Sequence, residues 1–286
     1  MLALPSFHPM LAPAAWRSID FISDLHLQDS EPANFLAWRR YMQNTTADAV
    51  FILGDLFEVW VGDDVVRTQT NGNTLASHEG LAFEEQCRLV LHQCAQKTAL
   101  YFIVGNRDFL VGDAFLQASG MQALPDPTVL TFGKQKYLLS HGDALCLADT
   151  EYQIFRSQVR STPWQVDFLA RPLAERLQIA RSLRAQSEAR KLQGHPWVDL
   201  DAAETACWMQ ASGAHHMVHG HTHEGVDHAL AGAHHSDAQA DAPADTGPSM
   251  RHVLCDWHAD ATPPRAQVLR ITYAPGATPS VQRLPA

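Results

Sequence analysis

The chain has 286 residues with a formal net charge of −10, and 46% of its residues are hydrophobic. This length suits one large domain, with or without an insertion, and the acidic balance argues against a nucleic-acid partner, which would need a basic surface. The five cysteines are an odd number without metal-ligand spacing, so they predict buried reduced thiols. No apolar run approaches the roughly 20 residues that span a bilayer. Pro5, Pro9 and Pro13 predict a loose leader before residue 17.

Strand and helix patterns alternate through the first 150 residues, which predicts an α/β fold. Apolar runs predict buried strands at residues 19–23, 49–53, 100–104, 137–140 and 216–219, and two final strands at 252–257 and 267–272. Helical patterns lie at about 30–41, 74–97 and 112–119, and around Trp208 and Met209.

Residues 152–192, here called the lid, interrupt the alternation with a helical pattern. The lid holds eight Lys and Arg against three acidic residues, a balance of +5. It is interpreted as an insertion over the site, and an ordinary amphipathic hairpin with a solvated basic face is the alternative. Residues 229–248 are rich in Ala, Asp, Gly, Pro and His, which is typical of a low-complexity surface loop.

Five short polar clusters each follow one of the predicted buried strands. The carboxyl ends of strands are where open α/β sheets collect ligand-binding groups. The carboxylates, amide and imidazoles of these clusters suit a pair of divalent metals, with Asp55 able to bridge the two. Each cluster is a weak signal alone, and the five in order are a strong one. They are Asp24-Leu25-His26, Gly54-Asp55, Gly105-Asn106-Arg107-Asp108, His141-Gly142-Asp143 and Gly220-His221-Thr222-His223.

This order of clusters resembles the calcineurin-like metallophosphoesterases over residues 19–223. The resemblance implies an α/β fold of four layers, two packed sheets flanked by helices, in one domain over residues 17–286 with the lid as a helical insertion. It also implies two metals, one held by Asp24, His26, Asp55 and His223, and the other by Asp55, Asn106, His141 and His221. Asp63, Asp64, Asp108 and Asp143 fit supporting or capping roles as well as ligand roles.

Arg107 stands where much of that family has a histidine that assists the leaving group. An arginine cannot give up a proton near neutral pH, but it binds phosphate through two parallel hydrogen bonds. This residue therefore favours a leaving group that needs no general acid, such as a phosphate leaving from a diphosphate.

Longer runs resemble the UDP-2,3-diacylglucosamine diphosphatase family of lipid A biosynthesis. They are FISDLHL at 21–27, GDLFEVWVGDD at 54–64, GNRDF at 105–109, HGDALCLADTEYQ at 141–153, and the late Trp257-His258. The resemblance implies hydrolysis of UDP-2,3-diacylglucosamine to UMP and 2,3-diacylglucosamine 1-phosphate, by attack of a metal-held hydroxide on the α-phosphorus.

The same resemblance implies two Mn²⁺ ions, and catalytic roles for Asp55, Asn106, Arg107 and His141. The implied substrate-binding residues are Asn106, Arg107, Asp149, Ser187, Lys191 and His221, with Arg190 as the alternative to Lys191. A basic, apolar lid suits acyl chains and peripheral contact with an anionic membrane, which implies a location on the cytoplasmic face of the bacterial inner membrane.

Two other functions remain open to test. One is a different two-metal phosphoesterase, acting on a nucleotide or a phosphoprotein, against which Arg107 and the apolar lid count. The other is a non-catalytic binding scaffold, which is disfavoured because all seven candidate ligand positions are occupied.

Overall fold

Two six-stranded mixed sheets pack face to face in the computed structural model, which describes residues 3–67, 81–192, 198–230 and 248–286, with the side chains of 186–192 left out. The strands are β1 His8–Leu11, β2 Ser18–Ile22, β3 Ala49–Leu53, β4 Ala99–Ile103, β5 Met121–Ala123, β6 Thr128–Phe132, β7 Gln135–Ser140, β8 His216–His219, β9 Asp227–Leu230, β10 Ser249–Val253, β11 Gln267–Thr272 and β12 Ser280–Pro285. The α-helices are α1 Pro32–Asn44, α2 Phe83–Ala95, α3 Asp113–Ser119, α4 Thr150–Val159, α5 Thr162–Leu169, α6 Leu173–Leu192 and α7 Ala202–Ser212.

Strand order places the parallel strands at the centre of each sheet. The first sheet runs β12-β11-β2-β3-β4-β5 and the second runs β1-β6-β7-β8-β10-β9. Strands β2, β3 and β4 are parallel neighbours, as are β7, β8 and β10. Both faces of β3 are covered, and all five of its residues are buried, as expected for a continuous apolar run in a parallel sheet.

Apolar side chains fill three interfaces, which gives four layers. Between the sheets, Phe51 stacks between Phe21 and Tyr101, with ring centroids 5.1 and 4.9 Å away. Trp38 of α1 is fully buried on the outer face of the first sheet. Trp208 of α7 lies in the separate cluster on the outer face of the second sheet. The predicted α/β fold with two packed sheets flanked by helices is confirmed.

The carboxyl ends of β2, β3, β4, β7 and β8 carry the five polar clusters to one edge of the molecule. Strands β7 and β8 pair in parallel with Ser140 opposite His219, and the connection between them contains both the lid and α7. The chain before the lid lies beside the chain after it, because the Asp201 backbone N–H donates to the Leu145 carbonyl at 2.8 Å.

Most predicted elements are present with shifted ends. The pattern at 152–192 forms α4, α5 and α6, and the helix predicted from residue 74 begins at Phe83 within the described chain. The strand predicted at 252–257 lies instead at Ser249–Val253, and residues 229 and 230 of the predicted loop belong to β9. Residues 231–247 of that loop lie outside the described part.

The prediction of a loose leader is wrong for His8–Leu11. This segment pairs in parallel with β6, with His8 opposite Thr128 and Leu11 opposite Thr131. Pro9 is compatible with this strand because β1 lies at the sheet edge, where a proline needs no partner for a missing N–H.

Among the described residues, no helix combines the length and the apolar character that crossing a bilayer requires. The five cysteines are all free thiols.

Phe51→Ala tests the packing between the sheets. Because Phe51 is fully buried between two aromatic rings, its truncation should lower the free energy of unfolding by about 3–5 kcal/mol. Leu36→Ala is the control, since Leu36 is 50% exposed on α1 and should change the value by less than about 0.5 kcal/mol. Denaturant titration measures both, and equal losses would contradict this account of the core.

Candidate metal centre

Three side chains converge at the ends of β2 and β8 to form a first cluster of potential ligands. The ligand atoms of Asp24, His26 and His223 all lie within 4.8 Å of one another. The Nε2 atoms of the two histidines are 3.5 Å apart, and His223 Nε2 is 3.2 Å from Asp24 Oδ1. Within the described chain, that fully buried oxygen accepts no hydrogen bond. The two imidazole nitrogens and this carboxylate oxygen face the same point. Such a set of donor atoms fits a cation.

A second cluster joins the ends of β3, β4 and β7. Ligand atoms of Asp24, Asp55 and His141 again lie within 4.8 Å of one another. The Asn106 Oδ1 oxygen is 2.9 Å from both His141 Nε2 and His221 Nδ1. All seven predicted ligands are thus brought to one place. Asp24 is shared by the two clusters, which the sequence did not indicate, and the bridging role of Asp55 stays a prediction.

The backbone turns sharply at the ligands. Positive φ angles occur at Asp24 (52°), His26 (49°), Asp55 (53°), His221 (66°) and His223 (59°). Such conformations are uncommon for residues other than glycine and cluster at functional sites. They allow Asp24 and His26 to face the first cluster together with His223, while His221 lies with Asn106 and His141 in the second.

Close approach explains two glycines of the motifs. A Cβ atom at Gly105 would collide with the Asp55 backbone nitrogen and carboxylate. One at Gly220 would collide with the Asp24 carboxylate and the Ser23 hydroxyl. These glycines let the loop of one strand pack directly against a ligand of another.

Asp108 ties the ends of β3 and β4 together. Its carboxylate accepts from the backbone N–H groups of Gly105 at 2.8 Å and Leu56 at 2.7 Å. Burial and the charge of Asp55 raise the pKa of Asp108 to about 7. Two of the four acids left open by the sequence make supporting contacts here: Asp108 holds the ligand loops, and Asp63 caps α3 through the Gly112 and Phe115 N–H groups at 2.9 Å.

The electrostatic field of the site favours a cation. Burial lowers the pKa of His141, but the charges of Asp55 and Asp24 raise it to about 9. Burial and the neighbouring His141 lower the pKa of His221 to about 3, which keeps a neutral nitrogen available for coordination. The negative charge that holds a proton on His141 would equally stabilise a divalent ion, which would displace that proton on binding.

Glu58 is a site residue that the sequence interpretation missed. It lies in an apolar run three residues after Asp55 and is 7% exposed. Its Oε2 is 2.9 Å from His26 Nδ1, and its Oε1 is 3.5 Å from Arg107 Nη1. Burial raises the pKa of Glu58, but the neighbouring His26 and the charge of Arg107 lower it below its usual value. The sequence did offer one indication of a buried functional acid, because Glu58 is the single charged residue in the apolar run LFEVWV at 56–61.

Arg107 lies at the rim of the two clusters. Its backbone N–H donates to Asp55 Oδ1 at 2.8 Å, which fixes the start of the side chain beside the second cluster. In the described chain, its buried Nε donor has no hydrogen-bond partner. An unsatisfied guanidinium donor next to a metal site suits a phosphoryl oxygen.

Asp143 anchors the lid beside the second cluster. It accepts from the Tyr152 hydroxyl at 2.6 Å and from Arg156 Nε at 2.8 Å, and Arg160 Nη2 is 3.7 Å away. Burial raises the pKa of Asp143, but the positive charge of Arg156 lowers it well below its usual range. The Tyr152 ring stacks on the His221 ring, with centroids 6.0 Å apart.

Of the remaining predicted substrate residues, only Asp149 has a described side chain. Asp149 is exposed and caps α4, accepting from the Tyr152 N–H at 3.0 Å. The side chains of Ser187, Arg190 and Lys191 lie outside the description, although their backbone belongs to α6. Their substrate-binding roles stay predictions.

Comparisons with known proteins agree with this geometry. Residues 17–225 match the family model described as calcineurin-like phosphoesterase. A protein of Aromatoleum aromaticum named UDP-2,3-diacylglucosamine hydrolase is 38% identical over 84% of this chain and 89% of its own length. Proteins with the same name from Xanthomonas oryzae pv. oryzae and Chromobacterium violaceum are each 40% identical over 83% and 84% of this chain, and 90% and 91% of their own. The chain therefore belongs to the calcineurin-like phosphoesterases and, within them, to the UDP-2,3-diacylglucosamine hydrolase family.

Proposed function

We propose that this protein hydrolyses UDP-2,3-diacylglucosamine to UMP and 2,3-diacylglucosamine 1-phosphate with two Mn²⁺ ions, by attack of water on the α-phosphorus. The observation that carries this proposal is the convergence of the seven predicted ligands, with Arg107 beside them and the lid anchored at their edge. The family membership supports the substrate. The choice of metal and of phosphorus rests on the sequence resemblance.

Two divalent metals, held by the two clusters, would polarise the phosphoryl group and lower the pKa of a water molecule. The chain's own residues supply the rest. Arg107 binds a phosphoryl oxygen through its guanidinium and stabilises charge that develops there. Asn106 presents its side-chain oxygen to His141 and His221 and so holds the loop that carries Arg107.

The exposed face of the lid supports contact with lipid. Ile154, Val166 and Leu169 are 69%, 62% and 42% exposed, and Arg181 is also exposed. A solvent-facing apolar surface of this kind suits acyl chains and the interface of an anionic membrane. A peripheral position on the cytoplasmic face of the bacterial inner membrane would bring it to a membrane-borne substrate.

The proposal is tested by a product assay in ¹⁸O-labelled water. Protein stripped by a chelator should be inactive on UDP-2,3-diacylglucosamine, and added Mn²⁺ should restore hydrolysis with the label in UMP. Label in the sugar phosphate would place attack at the β-phosphorus. Faster turnover of a simple phosphomonoester would favour a general phosphoesterase, and no Mn²⁺-dependent hydrolysis of either compound would favour a binding scaffold.

Arg107→Lys and Asp55→Ala should separate phosphate binding from metal binding. Lysine keeps the charge but loses the forked donor, so Arg107→Lys should retain bound metal and lose about a hundredfold in kcat, as when one charge-stabilising donor is removed. Asp55→Ala should lose both activity and metal. Metal content by elemental analysis and steady-state kinetics check this pair, and unchanged turnover in Arg107→Lys would remove Arg107 from the phosphoryl site.

Val166→Gln and Leu169→Gln test the lipid-facing surface of the lid. Burying such a side chain contributes about 1.5–3 kcal/mol, so each variant should lose about tenfold or more in kcat/KM on the diacyl substrate and little on a deacylated analogue. Leu11→Gln is the control, because Leu11 is 78% exposed on β1, outside the lid. Phe168 is unsuitable because it is 6% exposed and stacks on Trp164. Equal losses on both substrates would make this surface structural.

A further inference from the structure

One buried carboxylate connects the metal centre to the lid. Glu58 Oε2 is 2.9 Å from Nδ1 of His26, whose other nitrogen faces His223 in the first cluster. Glu58 Oε1 is 3.5 Å from Arg107 Nη1 and 3.4 Å from Arg184 Nη1. Arg184 belongs to α6, the last helix of the lid. A single side chain thus contacts a metal ligand, the proposed phosphate-binding arginine and the lid.

The charge of Glu58 is what permits this arrangement. Two guanidinium groups converge on the same carboxylate oxygen, and without its negative charge they would repel each other. Arg184 makes a further contact, a 3.3 Å hydrogen bond to the Gln28 side-chain oxygen, which does not supply negative charge. Glu58 is therefore a negative partner of Arg184 and connects this part of α6 to the loop that follows β3.

We propose that Glu58 is a positioning residue that orients His26 toward the metal of the first cluster and at the same time holds α6 through Arg184. A carboxylate bonded to the non-coordinating nitrogen of a histidine fixes the ring and its tautomer, and removing it typically weakens metal binding about 10–100-fold. This inference rests on the proposed function, because it assigns His26 to a metal. If Glu58 has this role, the same side chain affects both the affinity for the metal and the stability of the lid.

Asp256 provides a matched control. Its Oδ2 lies 3.8 Å from Nδ1 of His223, so it stands behind the other histidine of the first cluster as Glu58 stands behind His26. Its other partners are His258 at 3.2 Å and Arg265 at 2.9 Å. These residues lie near the carboxyl-terminal strands and outside the lid.

The test compares Glu58→Gln, Asp256→Asn and Arg184→Ala by two measurements made without substrate. Titration calorimetry of chelator-treated protein with Mn²⁺ alone measures metal affinity. Hydrogen exchange of the backbone amides of α6 measures lid stability. Glu58→Gln should weaken one Mn²⁺ site about 10–100-fold and speed exchange in α6 about two- to fivefold, the factor expected when a partly exposed ion pair is lost. Asp256→Asn should affect only the metal, and Arg184→Ala only the exchange.

Several outcomes would overturn the inference. If wild-type protein binds Mn²⁺ and Glu58→Gln changes neither quantity, or changes only one of them, Glu58 does not couple the two. Glu58→Asp is measured alongside, and both of its values should fall between those of wild type and Glu58→Gln. If neither Glu58 variant folds, the residue is required for folding and the positioning role is wrong. If wild-type protein binds no Mn²⁺, the proposed function fails together with this inference.

Discussion

Buried negative charge at one edge of the two sheets is the constraint on which the rest of this structure depends. Asp24, Asp55, Glu58 and Asp143 are all less than a tenth exposed. Isolated carboxylates in such a place would be costly, so positive charge has to be brought to them. His141 supplies part of it through a raised pKa, and a divalent cation between the clusters would supply more.

Arginines of the lid also bring positive charge to these buried carboxylates. Several of its arginines contact acids of the domain: Arg156 contacts Asp143, Arg176 contacts Asp64, and Arg184 contacts Glu58. Arg176 is itself almost fully buried. The interpretation of the lid as a hairpin with a solvated basic face is thus wrong for these residues. Much of the +5 balance of the lid attaches it to an acidic domain, while apolar side chains such as Val166 face outward.

The polar clusters and their strands could be predicted because each lies in a strong local pattern. Ala49–Leu53 and His216–His219 were predicted to the residue, and all seven ligands converge as expected. The edge strand β1 could not be predicted, because His8–Leu11 carries a proline and no alternating pattern, and only pairing with β6 makes it a strand.

The side chains that support the metal centre could not be predicted from local sequence patterns either. Glu58 and Tyr152 each have a partner that is distant in the sequence or across an interface, such as Arg184 for Glu58 and His221 for Tyr152. A side chain whose role depends on a contact with a residue far along the chain leaves no spacing signal. Such residues are visible only once the two sheets have been packed together.

The position of the lid within the chain has a consequence for how such proteins diversify. Neighbouring parallel strands need a single crossover, and α7 alone provides the helix for the passage from β7 to β8. The lid is extra chain in that same passage, and it lies between Leu145 and Asp201, whose backbones are hydrogen-bonded to each other. Strand pairing therefore places no demand on its length or composition. The segment can therefore vary between relatives without disturbing the pairing of β7 with β8, as long as its contacts with Asp143 and Glu58 are kept.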